Sequence, residues 1–176
     1  NLQNYSRLIV LSICGGLEFS SDQYGDNPVD TRLRCLRLSG IVGRNCQGIY
    51  DFMRRFVNLR LLSLKRTSPV LLSTLLGSLV SLPHLESLEL SECFTDRNEL
   101  LLDGLYHLRS IEISKCMNLI GISSSQRLER LSQIRITNCP ISITSLIGLI
   151  TNSPVLKNLV ISQCNSLIGT LNISGR

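Results

Sequence analysis

Along the chain one arrangement of aliphatic and polar positions recurs: an aliphatic residue, two variable residues, an aliphatic, one variable residue and a third aliphatic. Its instances are Leu8/Leu11/Ile13, Leu33/Leu36/Leu38, Leu59/Leu62/Leu64, Leu85/Leu88/Leu90, Leu108/Ile111/Ile113, Leu131/Ile134/Ile136 and Leu156/Leu159/Ile161, with starts 25, 26, 26, 23, 23 and 25 residues apart. The end of each phrase alternates with period two, which predicts a short β-strand whose second and third aliphatics turn inward while the residues between them face out.

Several connecting segments switch to helical spacing. Ile49, Phe52, Met53 and Phe56 form one such set, Leu71, Leu72, Leu75, Leu76 and Leu79 a second, and Ile143, Leu146, Ile147 and Ile150 a third. The stretch from Met117 to Arg130, with Gly121 and the run Ser123-Ser124-Ser125, predicts turns or a single helical turn. Pro83 and Pro154 both fall two residues before a phrase, where a ring without an N–H does least harm, and their common phase supports the register.

On these seven phrases the chain resembles the leucine-rich repeat family over essentially its whole length. The resemblance implies an α/β repeat fold: a right-handed solenoid of about seven repeats, residues 1–176 as a single domain, with a parallel concave β-sheet and a convex side of mixed helices and turns. Eight positions after the phrase start, the last four repeats place Cys93, Cys116, Cys139 and Cys164, where earlier repeats have Gly16, Ile41 and Thr67. In this family the position turns inward as the strand ends and meets backbone groups of the stack. Neighbouring strands lie about 4.8 Å apart, close enough for a disulfide, yet equivalent side chains in a stack point in parallel. Four tetrahedral zinc ligands must converge, whereas this column is a line. Four reduced, buried thiols are therefore expected. Cys14 and Cys35 occupy outward strand positions and Cys46 a connector, so any reactive thiol is expected to come from that group.

Composition agrees with stacked aliphatic layers: 43% of the 176 residues are hydrophobic, only 5% aromatic, and there is no Trp. A formal charge of +5 is modest beside a dedicated nucleic-acid surface. No apolar run reaches the roughly 18 residues of a membrane span, and no secretion signal is apparent, so a soluble, intracellular and cytoplasmic protein without membrane insertion is expected. The chain carries seven cysteines, and an odd number argues against a framework of paired disulfides. His84 and His107 each precede a phrase but make neither a metal set nor a triad. Cys14-Gly15-Gly16 lacks the Lys and Ser/Thr of a phosphate-cradling loop. The sequons at Asn4 and Asn172 need a secretory context to matter. No catalytic residue, cofactor or metal is expected.

Charge is segregated. From Thr31 to Arg66 nine basic residues stand against Asp51 alone, and from His84 to Asp103 six acids stand against Arg97 alone. The central outward column reads Ser12, Arg37, Ser63, Glu89, Glu112, Arg135 and Val160, and the next reads Cys14, Ser39, Lys65, Ser91, Ser114, Thr137 and Ser162, a hydroxyl run read as strand filler. Arg37, Lys65, Arg66, Glu89, Glu92, Glu112, Lys115 and Arg135 are the candidate partner-binding residues, set on the concave side beside Arg34, Arg60 and Glu86 to register another protein of opposite charge order. The alternative is that these charges satisfy one another across strands, at roughly 0.2–1 kcal/mol a pair. Nucleic acid fits poorly, because the outward positions lack stacking aromatics and the acidic block repels phosphates.

The segment Leu82-Pro83-His84-Leu85-Glu86-Ser87-Leu88-Glu89-Leu90-Ser91-Glu92-Cys93, with Ile111-Glu112-Ile113-Ser114-Lys115-Cys116-Met117-Asn118-Leu119, resembles the repeats of plant intracellular nucleotide-binding immune receptors. That resemblance implies a ligand-sensing module recognising pathogen effectors. Asn152-Ser153-Pro154-Val155-Leu156-Lys157-Asn158-Leu159-Val160-Ile161-Ser162-Gln163-Cys164 resembles the substrate-recognition repeats of F-box ubiquitin ligase receptors, the alternative, with a purely structural scaffold repeat as a third. A phrase starting at Leu8 and aliphatics still arriving at Leu171 and Ile173 lead us to expect a piece of a longer protein.

Overall fold

In a computed structural model of the chain the described residues are 8–15, 32–41, 52, 53, 55–69, 72, 77, 79, 82–95 and 98–165. Each of the seven phrases becomes a strand: β1 (Val10–Cys14), β2 (Cys35–Ser39), β3 (Leu61–Lys65), β4 (Ser87–Ser91), β6 (Ser110–Ser114), β8 (Gln133–Thr137) and β9 (Asn158–Ser162). They form one parallel seven-stranded sheet in sequence order, β1-β2-β3-β4-β6-β8-β9. The register never slips, so that Leu36, Leu62, Leu88, Ile111, Ile134 and Leu159 are successive partners, as are Arg37, Ser63, Glu89, Glu112, Arg135 and Val160. The chain is thus a parallel-strand repeat solenoid.

The period-two alternation sorts the side chains as expected. Leu36, Leu38, Leu62, Leu64, Leu88, Leu90, Ile111, Ile113, Ile134 and Ile136 are essentially sealed from solvent, whereas the equivalents in the first and last described repeats, such as Leu11 and Leu159, are half-buried because one neighbour is absent from their stack among the described residues. A solenoid repeat buries its aliphatic face only against the repeats beside it.

β3, β4, β6, β8 and β9 are each approached through a turn that explains the prolines. Leu59, Leu85, Leu108, Leu131 and Leu156 donate their N–H to the carbonyls of Phe56, Leu82, Leu105, Leu128 and Ser153 three residues back. Pro83 and Pro154 occupy the second position of such turns, where their fixed φ is preorganised. Each strand is left through a residue in the left-handed region, always seven positions after the phrase start: Gly15, Gly40, Arg66, Glu92, Lys115, Asn138 and Gln163. The first six of these donate their N–H to the last strand residue of the following repeat, Ser39, Lys65, Ser91, Ser114, Thr137 and Ser162, at 2.9–3.0 Å. The conformation continues the ladder by one bond while turning the chain inward. Only the first two repeats use glycine, so the other five hold a side chain in a backbone conformation that costs L-residues roughly 1 kcal/mol.

Among the described residues, the side opposite the large sheet departs from expectation between β4 and β8. The stretch Met117–Arg130 does not cross as turns alone: β7 (Gly121–Ser123) pairs in parallel with β5 (Glu99–Leu101), making a second, two-stranded sheet. In the next repeat the ladder passes to the helix α1 (Ile143–Thr151). The Ser145 hydroxyl accepts from Ile122 N at 2.5 Å and donates to Ile122 O at 2.7 Å, serving the free edge of β7 where a third strand would lie. Ser142 caps α1 by accepting from Ser145 N at 3.2 Å. The helix buries Leu146 and Leu149, while Ile147, expected on the inner face, is exposed. Of the other two expected helices, Phe52, Met53, Phe56, Leu72 and Leu79 are buried, and Ile49, Leu71, Leu75 and Leu76 lie outside the described residues.

Asn118 joins consecutive repeats behind the sheet. Its side-chain oxygen accepts from Thr95 N at 3.1 Å and its amide donates to Thr95 O and, at 3.1 Å, to Asn98 Oδ1. A side-chain amide offers both a donor and an acceptor and so satisfies a backbone N–H and C=O that no strand pairs.

Candidate functional site

The outer face of the seven-stranded sheet is a grid, with columns set by phrase position and rows by repeat. Its central column carries Arg37, Glu89, Glu112 and Arg135 on β2, β4, β6 and β8. Among the described residues none of these four has an ion-pair partner. Arg37 is flanked by Ser12 and Ser63, whereas Glu89 and Glu112 are direct neighbours in the register. Like charges directly opposite one another repel. Glu112 also neighbours Arg135, but no contact closer than 4 Å joins their charged atoms.

The remaining four candidates sit elsewhere. Lys65 ends β3, while Arg66, Glu92 and Lys115 belong to the left-handed column just past the strand ends, at the margin of the sheet rather than on the strands themselves. There charges pair between repeats: Arg66 Nε lies 2.6 Å and Lys65 Nζ 3.6 Å from the Glu92 carboxylate. The hydrogen bond from Arg66 holds the Glu92 carboxyl below its usual value, the charges of Arg66, Lys65 and Lys115 add to that, and partial desolvation opposes it. The opposite margin repeats the arrangement, with Arg60 Nη1 at 2.8 Å and Arg109 Nε at 3.8 Å from the two oxygens of Glu86. Self-satisfaction of charge, weighed from the sequence against partner recognition, therefore describes Lys65, Arg66 and Glu92 at one margin and Arg60, Glu86 and Arg109 at the other, and not the central column.

Hydroxyl residues form their own ladders. Ser110 donates to Ser87 at 2.8 Å, Ser114 to Ser91 at 3.1 Å and Ser162 to Thr137 at 3.2 Å. Side chains one strand apart reach each other directly, so these hydroxyls stitch adjacent repeats.

The cysteine column is inward and free. Cys93, Cys116 and Cys139 are buried and Cys164 is half-buried. Cys93, Cys116 and Cys164 donate to the carbonyls of Leu64, Leu90 and Ile136 in the preceding repeats at 3.4–3.9 Å, and Cys139 Sγ accepts from Cys116 N at 3.4 Å. Hydrogen bonds with Cys139 and Cys93, together with burial, push the Cys116 thiol far above its usual range. Cys35 corrects an expectation: it faces outward in phase, yet it is buried, leaving Cys14 as the exposed strand thiol among the described residues. Cys46 lies outside the described residues.

His84 and His107 are neighbours in the stack, with rings 6.1 Å apart and parallel within 5°. Parallel rings do not converge on a shared ion. Among the described residues no group of three or more His, Cys, Asp or Glu could hold a metal, and no helix is long and apolar enough to cross a membrane.

No family model, curated protein or solved structure matches this chain. The functional reading rests on the geometry.

Two features of the site escaped the sequence. The left-handed column was signalled only by the common phase of Gly15 and Gly40. The confinement of the ion pairs between repeats to the margins had no sequence signal, because the same alternation governs all the outward columns.

Proposed function

We propose that the chain is a right-handed leucine-rich repeat solenoid whose concave sheet binds another protein. One observation carries this reading: the ion pairs between repeats lie at the margins, Arg60 and Arg109 with Glu86 and Lys65 and Arg66 with Glu92, while the central column, Arg37, Glu89, Glu112 and Arg135, has no ion-pair partner among the described residues. A regular sheet holding Glu89 beside Glu112 bears a repulsion that a partner's cation removes. The complementary surface presents an acid to Arg37, a base to the Glu89–Glu112 pair and an acid to Arg135, which sets register as well as affinity. Binding rather than catalysis fits a grid whose side chains run parallel instead of converging.

The phrasing of Leu82–Cys93 favours a ligand-sensing role of the kind found in plant intracellular immune receptors, and the free buried thiols fit a reducing compartment such as the cytoplasm. The test compares two folded variants in pull-downs from cell extract. Reversal of the central column (Arg37→Glu, Glu89→Lys, Glu112→Lys, Arg135→Glu) abolishes capture of the partner, whereas swapping one margin pair (Arg66→Glu, Glu92→Arg) preserves it. Capture surviving central reversal would remove the concave sheet as the binding surface.

A further inference from the structure

We propose that the margin where β1 to β4 begin binds a small, compact polyanion of the oligophosphate class. A recess of about 560 Å3 opens there, lined by Ile9, Arg32, Arg34, Asn58, Arg60 and His84. Small-molecule sites typically span roughly 300–1,000 Å3, so it accommodates more than a single inorganic ion.

The repeat builds this recess. Arg32, Asn58 and His84 directly precede the buried Leu33, Leu59 and Leu85, and Arg34 and Arg60 directly follow two of them. With each leucine turned inward, the residues on either side of it are left on the outside. Backbone bonds hold the rows together, Arg34 N donating to Ile9 O at 2.9 Å and Arg60 N to Arg34 O at 2.8 Å. Among the described residues the lining therefore holds three guanidinium groups and no carboxylate. Glu86, at its border, engages Arg60 at 2.8 Å. Arg32 and Arg34 have neither an ion-pair nor a side-chain hydrogen-bond partner among the described residues, and His84 is propped against the His107 ring.

Adjacent rows about 4.8 Å apart hold these cations closer than like charges favour, and a ligand with neighbouring anionic groups relieves that. The geometry favours phosphoryl over carboxyl groups. A carboxylate offers two coplanar oxygens that suit one guanidinium fork, whereas a tetrahedral phosphoryl group offers three and can bridge forks from different rows. The recess uses columns distinct from the central one, so this inference and the protein-binding reading stand or fall separately.

Isothermal titration with inorganic tripolyphosphate tests it. Saturable binding, weakened by added salt, is expected, and Arg32→Ser with Arg34→Ser weakens it about 100-fold, roughly tenfold per lost charge-assisted contact. Arg130→Ser, which removes one positive charge from the same margin four repeats on, leaves it within about twofold. Both arginines are exposed, so the double variant should keep its thermal midpoint. If it does not, Arg34→Lys retains the charge, loses the fork and is expected to bind about tenfold more weakly in a folded protein. Absence of saturable binding, an equal loss in Arg130→Ser, binding undiminished in folded Arg34→Lys, or citrate binding as tightly as tripolyphosphate would each overturn the proposal.

Discussion

Ile111 occupies the second position of β6, is 1% exposed and lies between Leu88 and Ile134 in the register. Substitutions there measure how much one inward position contributes to the stack. Ile111→Val deletes one buried methylene, about 0.8 kcal/mol by transfer and about 1 kcal/mol with the small cavity. Ile111→Ala deletes three, roughly 2.4 kcal/mol by transfer. Because the neighbouring repeats hold the walls of the cavity apart, about 3.5 kcal/mol is expected. Ile111→Asp removes the aliphatic group and adds a buried carboxyl without a partner, at roughly 1–3 kcal/mol more even when protonated, bringing the loss to about 5 kcal/mol. That is comparable to the whole stability of many domains, so this variant should be unfolded or nearly so. Glu112→Ala, one residue on and exposed, changes stability by no more than about 0.5 kcal/mol. Its sign should be stabilising at low salt, because it removes the repulsion with Glu89. Urea unfolding followed by far-UV circular dichroism reads all four. An unchanged m for Ile111→Val and Ile111→Ala means the stack unfolds as one unit, and a reduced m means it has split at this repeat. Equal midpoint shifts for Ile111→Ala and Glu112→Ala, or a native midpoint for Ile111→Asp, would refute the inward assignment.

Three further outcomes are expected. Lys115→Gly, which relieves a φ of 54°, should stabilise the fold by about 0.5 kcal/mol, and Lys115→Val should destabilise it by about 1 kcal/mol or more; midpoints in the reverse order contradict the left-handed column. The Glu92 carboxyl, lowered by its bond to Arg66, holds fewer protons in the folded than in the unfolded chain, so its contribution is complete above the unfolded pKa and is lost as pH falls through the folded one. An NMR titration should place its midpoint below that in Arg66→Ala, and coincident curves would show that the ion pair does not persist in solution. Thiol labelling of the native protein with peptide mapping should modify Cys14 promptly and reach Cys93, Cys116 and Cys139 only as the chain unfolds; early modification of Cys116 would place that column outside the core.

The inward Leu and Ile positions, the seven strands and their common phase were legible in the sequence, because a side chain's face follows from period two alone and any slip by one residue would turn leucines to water. The inward column of Cys93, Cys116 and Cys139 was equally plain, since its position relative to the phrase does not vary. Features that depend on what lies one repeat away were decided only by the tertiary structure. Met117–Arg130 carries weak local signals, and β7 forms because β5 offers an edge at the same height in the preceding repeat. Cys35 is outward by phase and buried by its surroundings. Arg66, Glu92 and Lys115 stand in a backbone conformation their residue types do not announce, imposed because the chain must turn inward there while its N–H still reaches the next strand. Pairing follows the same rule: residues 26 apart, Arg66 with Glu92 and Arg60 with Glu86, meet at the margins, whereas Glu89 and Glu112 are brought together with no ion-pair partner among the described residues. Periodicity along the chain determines which way a side chain points, and stacking across the chain determines what it meets.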